Sequence, residues 1–145
     1  MLYIQIVGFD QYKMFRSEGV YHRGDGKKEL IPVSTDFSLE NQDYWCLLRL
    51  VNHGDDTIVG TLSFRRQDDL LKIRDVEILG SYRNNGLGTK FLMILIEMSR
   101  IQGIQVIQLV VFNHRTVAQH IYEKLGFQTI KTFEKSCKMK LSLPN

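Results

Sequence analysis

From residue 44 onward the apolar positions fall into a succession of short runs with clear periods. Residues 44–52 are rich in aromatic and aliphatic side chains and end at His53-Gly54-Asp55-Asp56, a turn signal. Residues 57–66 form a second run, and Gln67-Asp68-Asp69 marks the next turn. In residues 70–79, Leu71, Ile73, Asp75 and Glu77 alternate against Lys72, Arg74, Val76 and Ile78. Three strands joined by short turns predict an antiparallel meander. The period then lengthens. Phe91, Leu92, Leu95, Ile96, Met98 and Ile101 form a stripe at helical spacing, with Lys90, Met93, Glu97 and Arg100 on the other side. That predicts a helix over residues 88–101, ended by Gly103. Residues 105–112 are a nearly continuous β-branched run, as expected of a strand buried on both faces. A short helix over 116–124 stops at Gly126, a left-handed cap candidate. Two further strands, 127–133 and 137–143, close the chain.

The first forty residues carry less pattern. Residues 2–7 alternate and predict a first strand. Residues 10–18 suit a short helix with Asp10 as its cap. Residues 21–40 predict a loop with a second short helix. The resulting order is a mixed, mostly antiparallel α/β (α+β) sheet of six to seven strands with helices packed on both faces.

Composition narrows this picture. The 145 residues predict one domain, 1–145, that buries roughly 70% of its unfolded surface without staples. The two cysteines, Cys46 and Cys137, lie far apart and exclude a disulfide framework or a cysteine zinc site. Reduced thiols fit a cytoplasmic location. The longest apolar run, 91–96, is too short to span a bilayer, and no signal peptide is evident. The net charge of +3 comes from scattered pairs, Lys27-Lys28 and Arg65-Arg66, and a spaced group near the end. Without a block of like charges, a nucleic-acid partner is not expected.

The chemistry concentrates in residues 76–90. A strand runs into the loop Gly80-Ser81-Tyr82-Arg83-Asn84-Asn85-Gly86-Leu87-Gly88, and the loop runs into the long helix. The first helical turn leaves backbone N–H groups without partners, and the macrodipole adds positive potential there. Gly86 and Gly88 let an anion approach the main chain, and Arg83 adds a charge-assisted contact. The pattern predicts a phosphate or pyrophosphate cradle. A Walker loop is excluded by the spacing of Gly80 and Gly86, and a dinucleotide fingerprint by Phe91 where a third glycine would stand.

Two motifs then resemble those of the GNAT superfamily of acyl-CoA-dependent N-acetyltransferases. Arg83-Asn84-Asn85-Gly86-Leu87-Gly88 matches the family's Arg/Gln-x-x-Gly-x-Gly/Ala loop. Ala118, Tyr122, Gly126 and Phe127 match its later Ala-x-x-x-Tyr-x-x-x-Gly-Phe signature. The resemblance covers residues 44–141 as the cofactor-binding core and leaves 1–43 as a variable, acceptor-shaping segment. It implies acetyl-CoA as co-substrate, with its pyrophosphate on the backbone N–H groups of Asn84, Asn85, Gly86, Leu87, Gly88 and Thr89. It implies a pantetheine arm paired with the main chain of Val76, Glu77 and Ile78, between strands that splay apart. Tyr122 stands where many members place a phenol beside the cofactor sulfur, a general-acid candidate. Many members carry Asn where Arg115 stands here; either Asn113 takes over that contact or nothing does.

Acetyl transfer needs a neutral amine. Holding a lysine-like amine neutral at pH 7 costs about 4.6 kcal/mol, so a base is useful. Glu77 is the first candidate and Asp75 the second, both on the strand face opposite Val76 and Ile78; Glu40 and Asp43 stay open. His114 and His120 lack the spacing of a helical metal pair, and no metal is expected. The acceptor is an amine of a small molecule or a protein. The alternative is an inactive acyl-CoA-binding sensor or scaffold; a third reading keeps the fold for macromolecular contact alone. The alternation in 127–143 would suit a homodimer formed through the last strands.

Overall fold

The computed structural model describes residues 2–7, 14–18, 21–22, 28–29, 39, 41, 45–52, 55, 57–80 and 86–144. Ten strands are found among them. They are β1 (Leu2–Val7), β2 (Met14–Glu18), β3 (Tyr21–His22), β4 (Lys28–Glu29), β5 (Cys46–Asn52), β6 (Ile58–Gln67), β7 (Leu70–Ile78), β8 (Val106–Phe112), β9 (Gln128–Thr132) and β10 (Ser136–Ser142). The helices are α1 (Leu87–Ile101) and α2 (Thr116–Lys124). One sheet has the order β2-β1-β5-β6-β7-β8-β10-β9, and β3 and β4 form a separate pair. Every neighbour in the large sheet is antiparallel except β7 with β8. The mixed, mostly antiparallel architecture is the one expected. The eighth strand comes from a segment expected to be helical. Residues 14–18 pair with β1, from Val7↔Met14 to Tyr3↔Glu18. A nine-residue helix has little stability of its own, whereas hairpin pairing with β1 supplies main-chain partners at once. Asp10, its expected cap, lies outside the described residues.

The meander β5-β6-β7 follows the period-2 reading until β7, where the frame slips. Ser63 pairs with Arg74 and Thr61 with Glu77, so Asp75 and Val76 together oppose Leu62. This is a β-bulge, and Asp75 takes φ +56° to make it. Without it, Asp75 and Glu77 would follow Leu71 and Ile73 onto the buried face. With it, Val76 and Ile78 share that face, and Glu77 shares the polar face with Arg74. The simple alternation expected for residues 70–79 therefore holds only as far as Arg74.

The right-handed preference of parallel crossovers carries α1 back over the sheet. Phe91, Leu92, Leu95 and Met98 are buried in one apolar cluster with Leu62, Phe64, Leu71 and Ile73, while Met93 and Glu97 stay outside, as the stripe predicts; Ile101, at the helix end, departs from it and is exposed. The helix lies close to the strands: a Cβ on Gly60 would meet Ile78 Cδ1 at 2.8 Å and Phe91 at 3.4 Å. Tyr122 of α2 joins the same cluster. Strand β8 departs from its reading. Ile107, Leu109 and Val111 are buried, but Val110 and Phe112 are more than half exposed. On the opposite sheet face Lys138 stands beside Val110, and Lys72 and Lys140 flank the neighbouring Gln108, so among the described residues that face forms no second core. Arg66 fastens the far end of α1. Its guanidinium donates to the carbonyls of Leu39 (2.8 Å), Asp68 (2.8 Å) and Gln102 (2.9 Å). Cys46 and Cys137 are buried thiols on separate strands. Among the described residues no helix is long and apolar enough to cross a membrane.

Candidate active site

The parallel pairing of β7 with β8 creates the site. β7 and β8 are in register only from Leu70↔Val106 to Ile73↔Leu109. Both strands run on, to Ile78 and Phe112, without pairing each other. The sheet therefore opens into a fork whose two prongs present main-chain groups to whatever enters. An extended amide-bearing chain is the natural complement, since it can add itself as a partial strand.

A cleft of about 390 Å³ follows the fork on the buried side of β7. Val76 and Ile78 reach it because of the bulge at Asp75. Gly88 and Leu92 of α1, Ala118, Ile121 and Tyr122 of α2, and residues 114–117 complete its wall. Gly88 sits at its back, where a Cβ would meet Ile78 at 3.5 Å, an ordinary contact that leaves room for no more than a small side chain.

Both helices point open N-termini at this cleft. Gly86 is the N-cap of α1, at φ 72° and ψ 11°, with no side-chain capping bond and no acidic residue in the first turn. The first intrahelical bond runs from Lys90 N–H to the Gly86 carbonyl at 3.1 Å. The N–H groups of Leu87, Gly88 and Thr89 thus have no intrahelical acceptor. Arg115 is the N-cap of α2, again without a side-chain capping bond or an acidic first turn. Two positive macrodipole ends and one guanidinium flank a cleft lined mainly by apolar side chains. An anionic head joined to a long, partly apolar arm fits that distribution.

The expected site residues divide into four groups. Val76, Ile78, Gly88 and Tyr122 line the cleft. Gly86, Leu87 and Thr89 form the open end of α1. Arg83, Asn84 and Asn85 lie outside the described residues, as do Glu40 and Asp43. Tyr122 is buried, its ring packed on Phe127 at 5.6 Å. Burial pushes its phenol up to about 12, partly opposed by the Arg115 charge. Such a phenol keeps its proton throughout the neutral range. Glu77 is exposed on the other side of β7 and does not line the cleft. Asp75 sits 3.5 Å from Arg74 Nε. Asn113 points elsewhere: its side-chain amide donates to the Glu134 carbonyl at 3.2 Å, and its N–H to the Lys135 carbonyl at 2.9 Å. It fastens β8 to the β9–β10 turn. Its neighbours His114 and Arg115 line the cleft instead, with His114 stacked on Phe112 at 5.8 Å. Sequence reasoning missed Arg115, Thr116 and Val117 as cleft residues. The signal was present, because a second strand-to-helix turn follows the second prong of the fork. Among the described residues no group of three His, Cys, Asp or Glu side chains could hold a metal.

The sequence and the fold both resemble those of known proteins. Residues 11–127 match the model of the acetyltransferase (GNAT) family. The chain is 26% identical over 106 residues to a probable N-acetyltransferase, camello, of Xenopus tropicalis; the match covers 70% of this chain and 46% of that protein, so the chain spans about half its relative's length. The fold superposes on the PaiA N-acetyltransferase of Thermoplasma acidophilum in complex with coenzyme A with a TM-score of 0.61 at 18% identity. That match covers 68% of this chain and 61% of the other. It also superposes on the ribosomal-protein-S18-alanine N-acetyltransferase of Escherichia coli with a TM-score of 0.61 at 20% identity, covering 72% and 74%. A fork, an open helix end and a matched family description spanning most of the sequence agree, and the chain belongs to the GNAT acetyltransferase family.

Proposed function

We propose that this protein is an N-acetyltransferase that moves an acetyl group from acetyl-CoA to a primary amine by direct attack. The observation that carries the reading is the fork between β7 and β8, with an apolar cleft along it and the uncapped end of α1 at its mouth. The residues fit the cofactor's chemistry. The N–H groups of Leu87, Gly88 and Thr89 suit phosphate oxygens. Val76, Ile78, Leu92 and Ile121 suit the aliphatic parts of the arm. Arg115 lies where a phosphate charge would be welcome.

Acetyl-CoA supplies an activated acetyl thioester; the chain supplies position and proton handling. Placing amine and thioester at attack distance is worth roughly 7–11 kcal/mol at best, so the fork matters most. Glu77, on the far side of β7, takes the amine proton, directly or through a water. The N–C bond forms, the C–S bond breaks, and the sulfur leaves as a thiolate. Tyr122 then acts as a hydrogen-bond donor to that sulfur. Full transfer from a phenol near 12 to a thiolate whose acid has a pKa near 8.5 is uphill by about 5 kcal/mol. Leaving as thiolate is affordable near neutrality, so a donor suffices.

The test is calorimetric titration of acetyl-CoA and CoA into the wild type and into Ala118→Trp, which fills the cleft from α2. Binding of both ligands by the wild type and loss in the folded variant are expected, with CoA released when an amine panel is added. A folded wild type that binds neither ligand overturns the reading. Binding without CoA release from any amine favours an acyl-CoA-binding module.

A further inference from the structure

We propose that the acceptor pocket lies on the opposite side of the sheet from the first cleft and takes a small amine that also carries an anionic group. The inference rests on the acetyl-transfer reading above. Ile73 and Leu109, the last pair before β7 and β8 part, line a second cleft of about 250 Å³. Its remaining wall is Trp45, Lys72, Arg74, Gln108, Val110 and Lys138. This cleft therefore opens at the root of the fork, where an amine could meet a group lodged between the prongs. Glu77 belongs to the same sheet face, since its partner Thr61 and the Arg74 partner Ser63 are two residues apart on β6. The proposed base and the second cleft thus share a side.

The size selects a compact ligand, because pockets for larger small molecules run from about 300 to 1,000 Å³. The charge selects an anion. Among the described residues three cations and no carboxylate line the cleft. Among the described residues neither Lys72 nor Lys138 has an ion pair. Lys72 stands directly opposite Arg65, and Lys138 directly opposite Lys131. Like charges directly opposite each other destabilise a sheet. The face keeps two such pairs beside one cleft, and a bound anion would offset that repulsion. Arg74 is held in place with its guanidinium 3.9 Å from the Trp45 ring centroid and its Nε 3.5 Å from Asp75. That leaves its two terminal nitrogens for a carboxylate or phosphate, the planar recognition to which a guanidinium is suited.

Turnover by the full chain is measured for amino acids against their decarboxylated amines, and for O-phosphoethanolamine against ethanolamine. The two series separate carboxylate from phosphate. Heats of binding of the same compounds are measured on the protein alone and on the CoA-loaded protein. The anionic member of each pair in at least one series is preferred about 10-fold or more, the scale of one charge-assisted hydrogen bond. Lys138→Glu and Lys72→Glu each abolish the preference while the acetyl-CoA dissociation constant stays at its wild-type value. Each replaces a like-charge pair by an opposite-charge pair, so folding is not at risk. Equal handling of neutral and anionic members, or a preference untouched by both variants, overturns the proposal while acetyl-CoA binding stands. Failure of the folded wild type to bind acetyl-CoA overturns the acetyl-transfer reading as well. Binding of a single-stranded oligonucleotide with steep salt dependence, and of no small anionic amine, also overturns it.

Discussion

The open end of α1 can be probed by a pair of substitutions that differ in charge alone. Gly86 sits at φ +72°, and nothing lies within 4 Å of where its Cβ would be. Asn and Asp tolerate this backbone better than other side chains, at a cost of about 1 kcal/mol or less. Gly86→Asn and Gly86→Asp should therefore both fold and carry nearly the same shape. Their charges act in opposite directions on helix and ligand. A carboxylate at the N-terminus of α1, which has no acidic residue in its first turn, stabilises the helix by about 0.3–1 kcal/mol. The same carboxylate about 6 Å from a ligand phosphate repels it by about 0.7–2.8 kcal/mol for effective dielectric constants of roughly 80 to 20. That corresponds to about 3- to 100-fold in affinity. The assay is acetyl-CoA titration of both variants at low salt and near 1 M salt, with urea unfolding alongside. The Asp variant should be the more stable and the weaker binder, and high salt should close the affinity gap. Equal affinities at low salt would refute the placement of the phosphates at this helix end.

Tyr122→Phe should lower kcat about 10- to 100-fold, the worth of one hydrogen bond to a developing charge. The same variant has a stability signature. The folded phenol is raised from 10.0 to about 12, so its contribution is whole below pH 10 and is lost as pH rises toward 12. Wild-type stability should fall by about 2.7 kcal/mol at most across that interval in alkaline urea titrations, and the Phe variant should lack the slope. Glu77→Gln should lower kcat/KM by about 10²–10⁴-fold at neutral pH. A loss that shrinks as pH approaches the amine's own pKa would mark a base; an acetyl-CoA affinity that falls in parallel would mark a merely structural residue. Asp75→Gly should leave the bulge intact, whereas Asp75→Val should cost about 1–2 kcal/mol in urea unfolding, because φ +56° suits no β-branched residue. A Val variant as stable as wild type would mean that the bulge is not what re-aims Val76 and Ile78.

Residues whose neighbours in space are neighbours in sequence were the legible ones. The apolar stripe of α1 shows in Phe91, Leu92, Leu95 and Met98, and the meander shows in its turn residues. The bulge was not legible, because a one-residue slip is set by pairing between strands; the alternation through Asp75 and Glu77 looks regular on paper. The helix expected at residues 10–18 failed for a related reason: the partner that makes Met14–Glu18 a strand is β1, and pairing outweighs a marginal local preference. For β8 the composition Val-Val-Phe suggested burial on both sides, yet burial depends on what covers a face, and the lysines that leave Val110 and Phe112 open are on other strands. In the candidate site, Gly86, Gly88 and Tyr122 were found through motifs. His114 and Arg115 came in place of Asn113, because the Glu134 carbonyl lies within reach of the Asn113 amide.

The large sheet is continuous only through four rungs, Leu70↔Val106 to Ile73↔Leu109. On one side lies a five-stranded leaf, β2-β1-β5-β6-β7; on the other lies a three-stranded leaf, β8-β10-β9, with α1 as the covalent bridge. Mechanically this is a partly closed zipper. A ligand threaded between the prongs would extend it by hydrogen bonds that the chain cannot make to itself. Spontaneous opening should therefore begin at the seam, with amides near Val110 exchanging before those at the centre of β6. Occupancy should slow exchange on both leaves together, although few of their residues touch the ligand. The protein would then be stiffest as one body only while it is loaded.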